Sequence, residues 1–223
     1  MPRPSLPPQV IWAFVPYVAA SAVHIMLLAV DSPLAAPTKL ALMPLLALPV
    51  ILSARLLRPW ATTALLLAAI AFSWLGDGAG AFFPAAPELP LMLLFFGVAH
   101  VAYIFLFARH LKRRRLPWWS SIYAIWWIAM IALLGPHTGV LLIAVAAYGV
   151  VLAGTAAFAA RCHPLIATGG AFFLISDTIL AFRLFLPDAL PAWSSPAVML
   201  TYTLGQGLIV AGALLALRSR KPS

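Results

Sequence analysis

The sequence predicts an all-α, polytopic membrane protein with eight transmembrane helices in one domain spanning residues 1–223. Three observations carry that prediction. Hydrophobic residues make up 64% of the chain and charged residues 9%, with a mean hydropathy of +1.04, whereas a soluble domain carries roughly 25% charged residues. Apolar runs of about 20 residues, the length that crosses a bilayer core, follow one another with short polar breaks. Lys and Arg recur at every second break, the asymmetry that orients successive spans.

The first span, 10–30, is longer than a signal-peptide core, so it is read as retained although Ser32-Pro-Leu-Ala-Ala36 resembles a cleavage region. The second, 38–57, lies between Ser32-Pro33 and Arg58-Pro59, and the third, 61–83, between Pro59 and Pro84. Pro90 opens the fourth, 90–108, and the basic cluster Arg109-His-Leu-Lys-Arg-Arg-Arg115 closes it. The fifth, 117–135, ends at Gly135-Pro136, and the sixth, 138–160, ends at Arg161. Pro164 opens the seventh, 164–186; the stretch Pro187 to Pro196 separates it from the eighth, 195–217. Pro and Gly at these breaks punctuate the chain as helix boundaries do. All eight are read as helices, because a helix satisfies its backbone hydrogen bonds internally and a barrel would need alternating strands.

Arg3, Arg55, Arg58, the basic cluster, Arg161 and the terminal Arg218, Arg220 and Lys221 fall at the N-terminus, the even-numbered connections and the C-terminus. The alternate connections hold Asp31, Glu88, His137 and Asp188 and no Lys or Arg. Both termini are therefore expected in the cytoplasm, with the chain in a plasma membrane of the bacterial inner-membrane type. The formal charge of +9 is concentrated at span ends, where it sets topology and meets anionic headgroups, so nucleic acid is not an expected partner. Cys162 is the only cysteine, which excludes an intrachain disulfide and a cysteine-based metal site. Five scattered histidines, with no His-x-x-x-His spacing, give no zinc signature, and neither a metal nor another cofactor is expected.

Two of the five acidic residues lie inside apolar runs: Asp77 in Phe72-Ser-Trp-Leu-Gly-Asp77 and Asp177 in Phe173-Leu-Ile-Ser-Asp177. An ionisable group in a span is costly and faces a bundle interior, a partner or a water-filled cavity. At about 1.5 Å per residue, both aspartates belong to the outer half of outward-running spans. Lys39 starts the inward-running second span on the same side, and His24 reaches a similar level late in the first. His100 and Tyr103 share a face of span 4 at i, i+3, while Tyr202 and Gln206 share one of span 8 at i, i+4. Coincident depth favours one polar cavity. Read singly, Tyr148 is a packed bundle residue, Lys39 a snorkelling one, and Arg183, about 9 Å beyond Asp177, either snorkels outward or meets the phosphate of a lipid. The equivalence of spans 3 and 7 suggests a parallel four-plus-four pseudo-repeat.

At these residues the sequence resembles the YhhN family of membrane proteins, which includes the lysoplasmalogenases. The resemblance rests on Thr38-Lys39-Leu-Ala-Leu-Met-Pro44, Phe72-Ser-Trp-Leu-Gly-Asp77, Ala99-His100-Val-Ala-Tyr103, Phe173-Leu-Ile-Ser-Asp177 and Tyr202-Thr-Leu-Gly-Gln206, in that order along most of the chain. The family pattern has proline after Lys39, where this chain has Leu40. Membership implies eight spans and hydrolysis of the vinyl ether bond of a lysoplasmalogen, giving a fatty aldehyde and a glycerophospho-alcohol. A lysophospholipid or related lipid is then the substrate, in lipid metabolism.

The residues suit that reaction. Vinyl ether hydrolysis needs a proton delivered to carbon and an anion opposite the resulting oxocarbenium ion, a demand like that of glycoside hydrolysis. Desolvation and a neighbouring like charge favour a proton on one carboxyl, while a cation keeps the other ionised. Asp77 and Asp177 are the expected catalytic pair beside Lys39. His100, Tyr103, Tyr202 and Gln206, with His24 and Arg183, are the expected supporting or substrate-binding residues. Either aspartate could be the acid on this reading. The competing reading is a small proton-coupled transporter, because membrane carboxylates and a lysine also mark ion pathways.

Overall fold

The computed structural model describes residues 6–54 and 59–218. Arg3, Arg55, Arg58, Arg220 and Lys221, on which part of the orientation rests, lie outside them. Among the described residues there are no strands, and eight helices are long and apolar enough to cross a membrane. They are α1 Pro8–Ala29, α2 Ala35–Ser53, α3 Trp60–Asp77, α4 Glu88–Leu111, α5 Trp118–His137, α6 Gly139–Ala159, α7 Pro164–Phe185 and α8 Ser194–Arg218. The fold is thus an all-α polytopic membrane fold, as the hydropathy pattern predicts.

Local chemistry explains where the helices depart from straight rods. α1 breaks between Trp12 and Val15, where Pro16 has no N–H to offer the Trp12 carbonyl. The expected third span, 61–83, is cut short: α3 stops at Asp77, Gly78 leaves helical geometry, and a separate turn, Ala79–Phe82, follows. α4 closes in wider π turns over Leu106–Leu111, which carry it into the basic cluster.

α8 is the central helix. Of its most apolar window 61% is buried, against 11% for α5, which lies at the rim. α8 packs along α7 at backbone distance: a Cβ on Gly169 would lie 2.7 Å from the Gly205 carbonyl oxygen, and one on Gly205 would lie 2.9 Å from Phe173 N. Helices lacking side chains at the seam approach this closely, which is how small residues glue helices in lipid. At one end, the Arg113 and Arg114 amides donate to the Arg161 carbonyl at 2.9 and 3.2 Å, and the Arg114 guanidinium donates to Ala160 O at 2.7 Å. These bonds satisfy carbonyls at the end of α6 and gather the basic connections on one side. The start of α2 and the ends of α3 and α7 lie at the opposite side.

Candidate active site

The site is assembled by a repair to α2. Pro44 lacks the N–H that would close the helical bond to the Leu40 carbonyl. That carbonyl instead accepts a 2.8 Å hydrogen bond from Trp74 Nε1 of α3. The indole therefore ties the residue after Lys39 to the residue three before Asp77, fixing the register of α2 against α3. Lys39 Nζ consequently meets Asp77 Oδ1 at 3.2 Å. The other carboxylate oxygen, Oδ2, accepts a 2.8 Å hydrogen bond from the Tyr202 hydroxyl of α8. Asp77 is 3% exposed and Lys39 32%, so the cation keeps one flank open while the anion is enclosed.

Asp177 has a different environment. Its Oδ2 accepts a short hydrogen bond from the Tyr148 hydroxyl of α6 and lies 3.8 Å from His100 Nε2 of α4. Tyr148 Oη is also 3.3 Å from His100 Nε2. On its far side, His100 Nδ1 lies 3.1 Å from Thr155 Oγ1, whose own proton is directed to backbone carbonyls, that of Val151 at 2.9 Å. Thr155 thus accepts from Nδ1–H, which turns the Nε2 edge of the ring toward Asp177 and Tyr148. With the one Tyr148 proton on Asp177, this group has a place for one further proton, on Asp177 or on Nε2.

Behind these two carboxylates lies a second polar layer. The Tyr103 hydroxyl donates to Gln206 Oε1 at 2.5 Å, and Gln206 Nε2 donates to Ser73 Oγ at 3.0 Å and reaches Tyr202 Oη at 3.5 Å. Tyr17 donates to the Thr203 carbonyl at 2.7 Å, anchoring α1 to α8. Both His100 and Gln206 are fully buried, as is Tyr103.

Asp77, Asp177, Lys39, Tyr202, His24 and Arg183 line one cavity of about 590 Å³. Its remaining wall is largely apolar, with Leu89, Met92, Phe96, Leu180 and Leu184 among the lining side chains. His100, Tyr103 and Gln206, read from sequence as supporting or substrate-binding, do not line this cavity but stand behind residues that do. The i, i+3 and i, i+4 spacings place them on the right helices, yet Phe96 of α4 and Tyr202 of α8 occupy the wall. Arg183 does not swing away from the bundle: it lines the cavity and donates to Ser194 Oγ at 2.6 Å. Tyr148, read from sequence as a packing residue, touches Asp177 and lines the cavity as well. Its only sequence signal is a phenol in a span whose one other polar side chain within the helix is Thr155. His24 Nδ1 lies 3.0 Å from Thr38 Oγ1, beside Lys39.

Eight apolar helices, seven of which line one cavity holding two carboxylates, a lysine and an arginine, define a polytopic membrane protein with a built polar site. The family model for the YhhN family matches residues 34–213, and the chain belongs to that family. No curated protein and no solved structure matches the chain.

Proposed function

We propose that the cavity hydrolyses the vinyl ether bond of a single-chain lipid, as expected of a lysoplasmalogenase. The observation that carries this reading is the unequal treatment of two carboxylates on one cavity: Asp77 is held by Lys39, whereas Asp177 is held by a phenol and an imidazole edge. Environments that differ in this way assign acid and base roles. Asp77, paired with an ammonium, is the standing anion. Asp177 carries the proton for which its group has room.

The reaction then proceeds with atoms in balance. Asp177 gives its proton to the vinyl carbon distal to the ether oxygen, and the double bond's electrons form the new C–H bond. The carbon attached to oxygen becomes an oxocarbenium centre, opposite the Asp77 carboxylate. Water adds to that centre and its proton returns to Asp177. The hemiacetal collapses to an alcohol and a fatty aldehyde, so one water is consumed and the acid is regenerated. Tyr148 orients the Asp177 carboxyl, His100 keeps Tyr148 and Asp177 in register, and Tyr202 holds Asp77. The apolar wall accommodates the hydrocarbon chain.

The test is purified protein in detergent with alkenyl, alkyl and acyl forms of one lysolipid. Aldehyde from the alkenyl form alone is the expected result. No aldehyde in detergent, together with proton-coupled flux in sealed vesicles, would favour a carrier instead.

A further inference from the structure

All five acidic side chains of the protein lie away from its basic end. Asp31, Glu88 and Asp188 sit at the opposite end, and Asp77 and Asp177 face the cavity. The basic end carries Lys112, Arg114, Arg115 and Arg161, and the sequence places no carboxylate side chain among them. Backbone carbonyls order this end. Arg114 donates to the Ala160 carbonyl through Nε at 3.1 Å and Nη2 at 2.7 Å, and Arg161 Nε donates back to the Arg114 carbonyl at 3.4 Å. With the Arg113 and Arg114 amides on the Arg161 carbonyl, the α4–α5 connection is clamped to the end of α6. Arg114 is thereby held in place, and the single carbonyl occupies only the Nε–Nη2 side of its fork.

Beside this clamp lies a groove. From Arg115 the chain runs through Leu116 and Trp118 into the wall of a recess of about 550 Å³ between α5 and α6. Trp127 Nε1 of α5 donates to the Ala146 carbonyl of α6 at 3.0 Å, and its ring fills the space that a side chain on Gly149 would take. That indole pins the two helices halfway along. The groove occupies the basic side of the pin and follows α6 from Val150 to Ala157, about 10 Å. Ser120 and Ser121, on its rim, turn their hydroxyl protons to the carbonyls of Pro117 and Trp118, so the recess suits a hydrocarbon chain. Trp118 is 88% exposed at the mouth, and such an indole sits at the border between headgroups and hydrocarbon. That border puts the basic segment 112–115 among headgroups and the groove among acyl chains. The start of α5, which no side chain caps, opens at the same level and adds the positive end of a helix dipole.

We propose that the basic end of the bundle holds one anionic phospholipid of the surrounding leaflet, its phosphate at Arg114, Arg115 and the start of α5, and one acyl chain in the groove between α5 and α6. Charge selects the headgroup and the groove retains the chain. The lipid fastens α5, the least buried of the spans, to the bundle. Tyr148 reaches the cavity from the opposite face of α6, so this site is separate from the carboxylates and does not rest on the hydrolase reading.

The test titrates full-length protein in neutral detergent with phosphatidylglycerol, with phosphatidylcholine of the same acyl chains, and with glycerol 3-phosphate. Bound lipid is counted by native mass spectrometry, and thermal unfolding is followed in parallel. One phosphatidylglycerol per chain should be retained, and Tm should rise with its concentration, as for any ligand of the folded state. Phosphatidylcholine should bind about tenfold more weakly or worse, since each nearby Lys or Arg favours an anionic lipid by about fivefold. Glycerol 3-phosphate, which has the phosphate and no chain, should leave Tm unchanged. Lys112→Gln combined with Arg115→Gln alters only exposed side chains and should bring the two lipids to within about threefold of each other. Ala157→Phe fills the groove and should weaken both lipids while keeping the preference. If that variant does not fold, Val150→Trp replaces it, because Val150 is 52% exposed on the groove wall. Equal affinity for the two lipids, a preference that survives the double substitution, or a filled groove without effect overturns the proposal. So does glycerol 3-phosphate binding as tightly as the lipid, which would leave a simple anion site, or a series of equivalent weakly held lipids with no single retained one.

Discussion

Asp77 and Tyr202 lie 125 positions apart and meet through a 2.8 Å hydrogen bond between α3 and α8. Asp177 of α7 meets His100 of α4 at 3.8 Å. If α3 and α4 are matched with α7 and α8, each aspartate takes its partner from the other pair. This exchange is what a four-plus-four pseudo-repeat would produce around a shared cavity, and it makes the two carboxylates mutually dependent on the packing of both pairs. Their hydrogen-bond partners nevertheless differ, which is why their proposed roles differ.

Removing the Tyr148 hydroxyl should separate orientation from proton donation. Tyr148→Phe keeps the ring and deletes the donor to Asp177. As Asp177 gives up its proton the bond from Tyr148 becomes one to a charged group, which contributes about 1.5–3 kcal/mol, so kcat/KM for aldehyde release should fall by roughly 10- to 100-fold. Steady-state kinetics, with unchanged affinity for a non-hydrolysable 1-alkyl form of the lipid, would locate the loss in catalysis. A variant as active as wild type would show that Asp177 needs no phenol.

Lys39→Met should lower both stability and turnover. The Lys39 side chain is one-third exposed, so the loss should be about 1–3 kcal/mol, between the small value of a surface pair and the ~3–5 kcal/mol of a broken buried one. Thermal unfolding in detergent measures it. Unchanged melting and full activity would mean the ammonium belongs to the headgroup region and not to Asp77.

The indole of Trp74 and the imide of Pro44 should be coupled. Trp74→Phe leaves the Leu40 carbonyl without its donor, at about 1–3 kcal/mol for an unsatisfied buried group. Pro44→Ala restores a backbone N–H that can take over that carbonyl. In the double variant the Trp74 penalty should shrink by at least about 1 kcal/mol, read as the interaction energy of a double-mutant cycle in unfolding experiments. Strict additivity would refute the repair of α2 by α3.

The basic end of the bundle should face the cytoplasm. A reporter fused after Ser223 should be active only on the cytoplasmic side, and one inserted near Pro87 only on the exterior. An exterior C-terminus would reverse the bundle and place the cavity end inside.

What was legible in the sequence follows from length and depth. Eight apolar runs with proline at their edges locate the helices, because a span is a length requirement and proline a boundary. Depth arithmetic then places Lys39, Asp77, Asp177 and Tyr202 at one level. Rotation about each helix axis is what the sequence conceals. A span that is apolar on every face has no amphipathic stripe, so Tyr148 gives no sign that it points at Asp177. Nor do His100 and Gln206 show that they stand behind the wall. The pairing of Trp74 with Leu40 is equally silent, being a side chain answering a carbonyl 34 positions away. The end of α3 at Asp77 is hidden for another reason: Gly78 and the Ala79–Phe82 turn are as apolar as the helix they interrupt.

The most direct measurement is aldehyde release from a 1-alkenyl lysophospholipid by purified wild type, Asp177→Asn and Asp77→Asn, each shown to be folded by thermal unfolding. An amide keeps the shape of the carboxyl, so both variants should remain folded. Neither should turn over: the Asp177 variant has no proton to give to carbon, and the Asp77 variant has no anion to face the oxocarbenium ion. General acid catalysis contributes about 10²–10⁴-fold, so Asp177→Asn should lose at least that much of kcat. The double variant should lose little more than the worse single one, as residues acting as a unit do. A well-folded Asp177→Asn that keeps most of the wild-type aldehyde release would contradict the assignment of the acid and, with it, the two-carboxylate account.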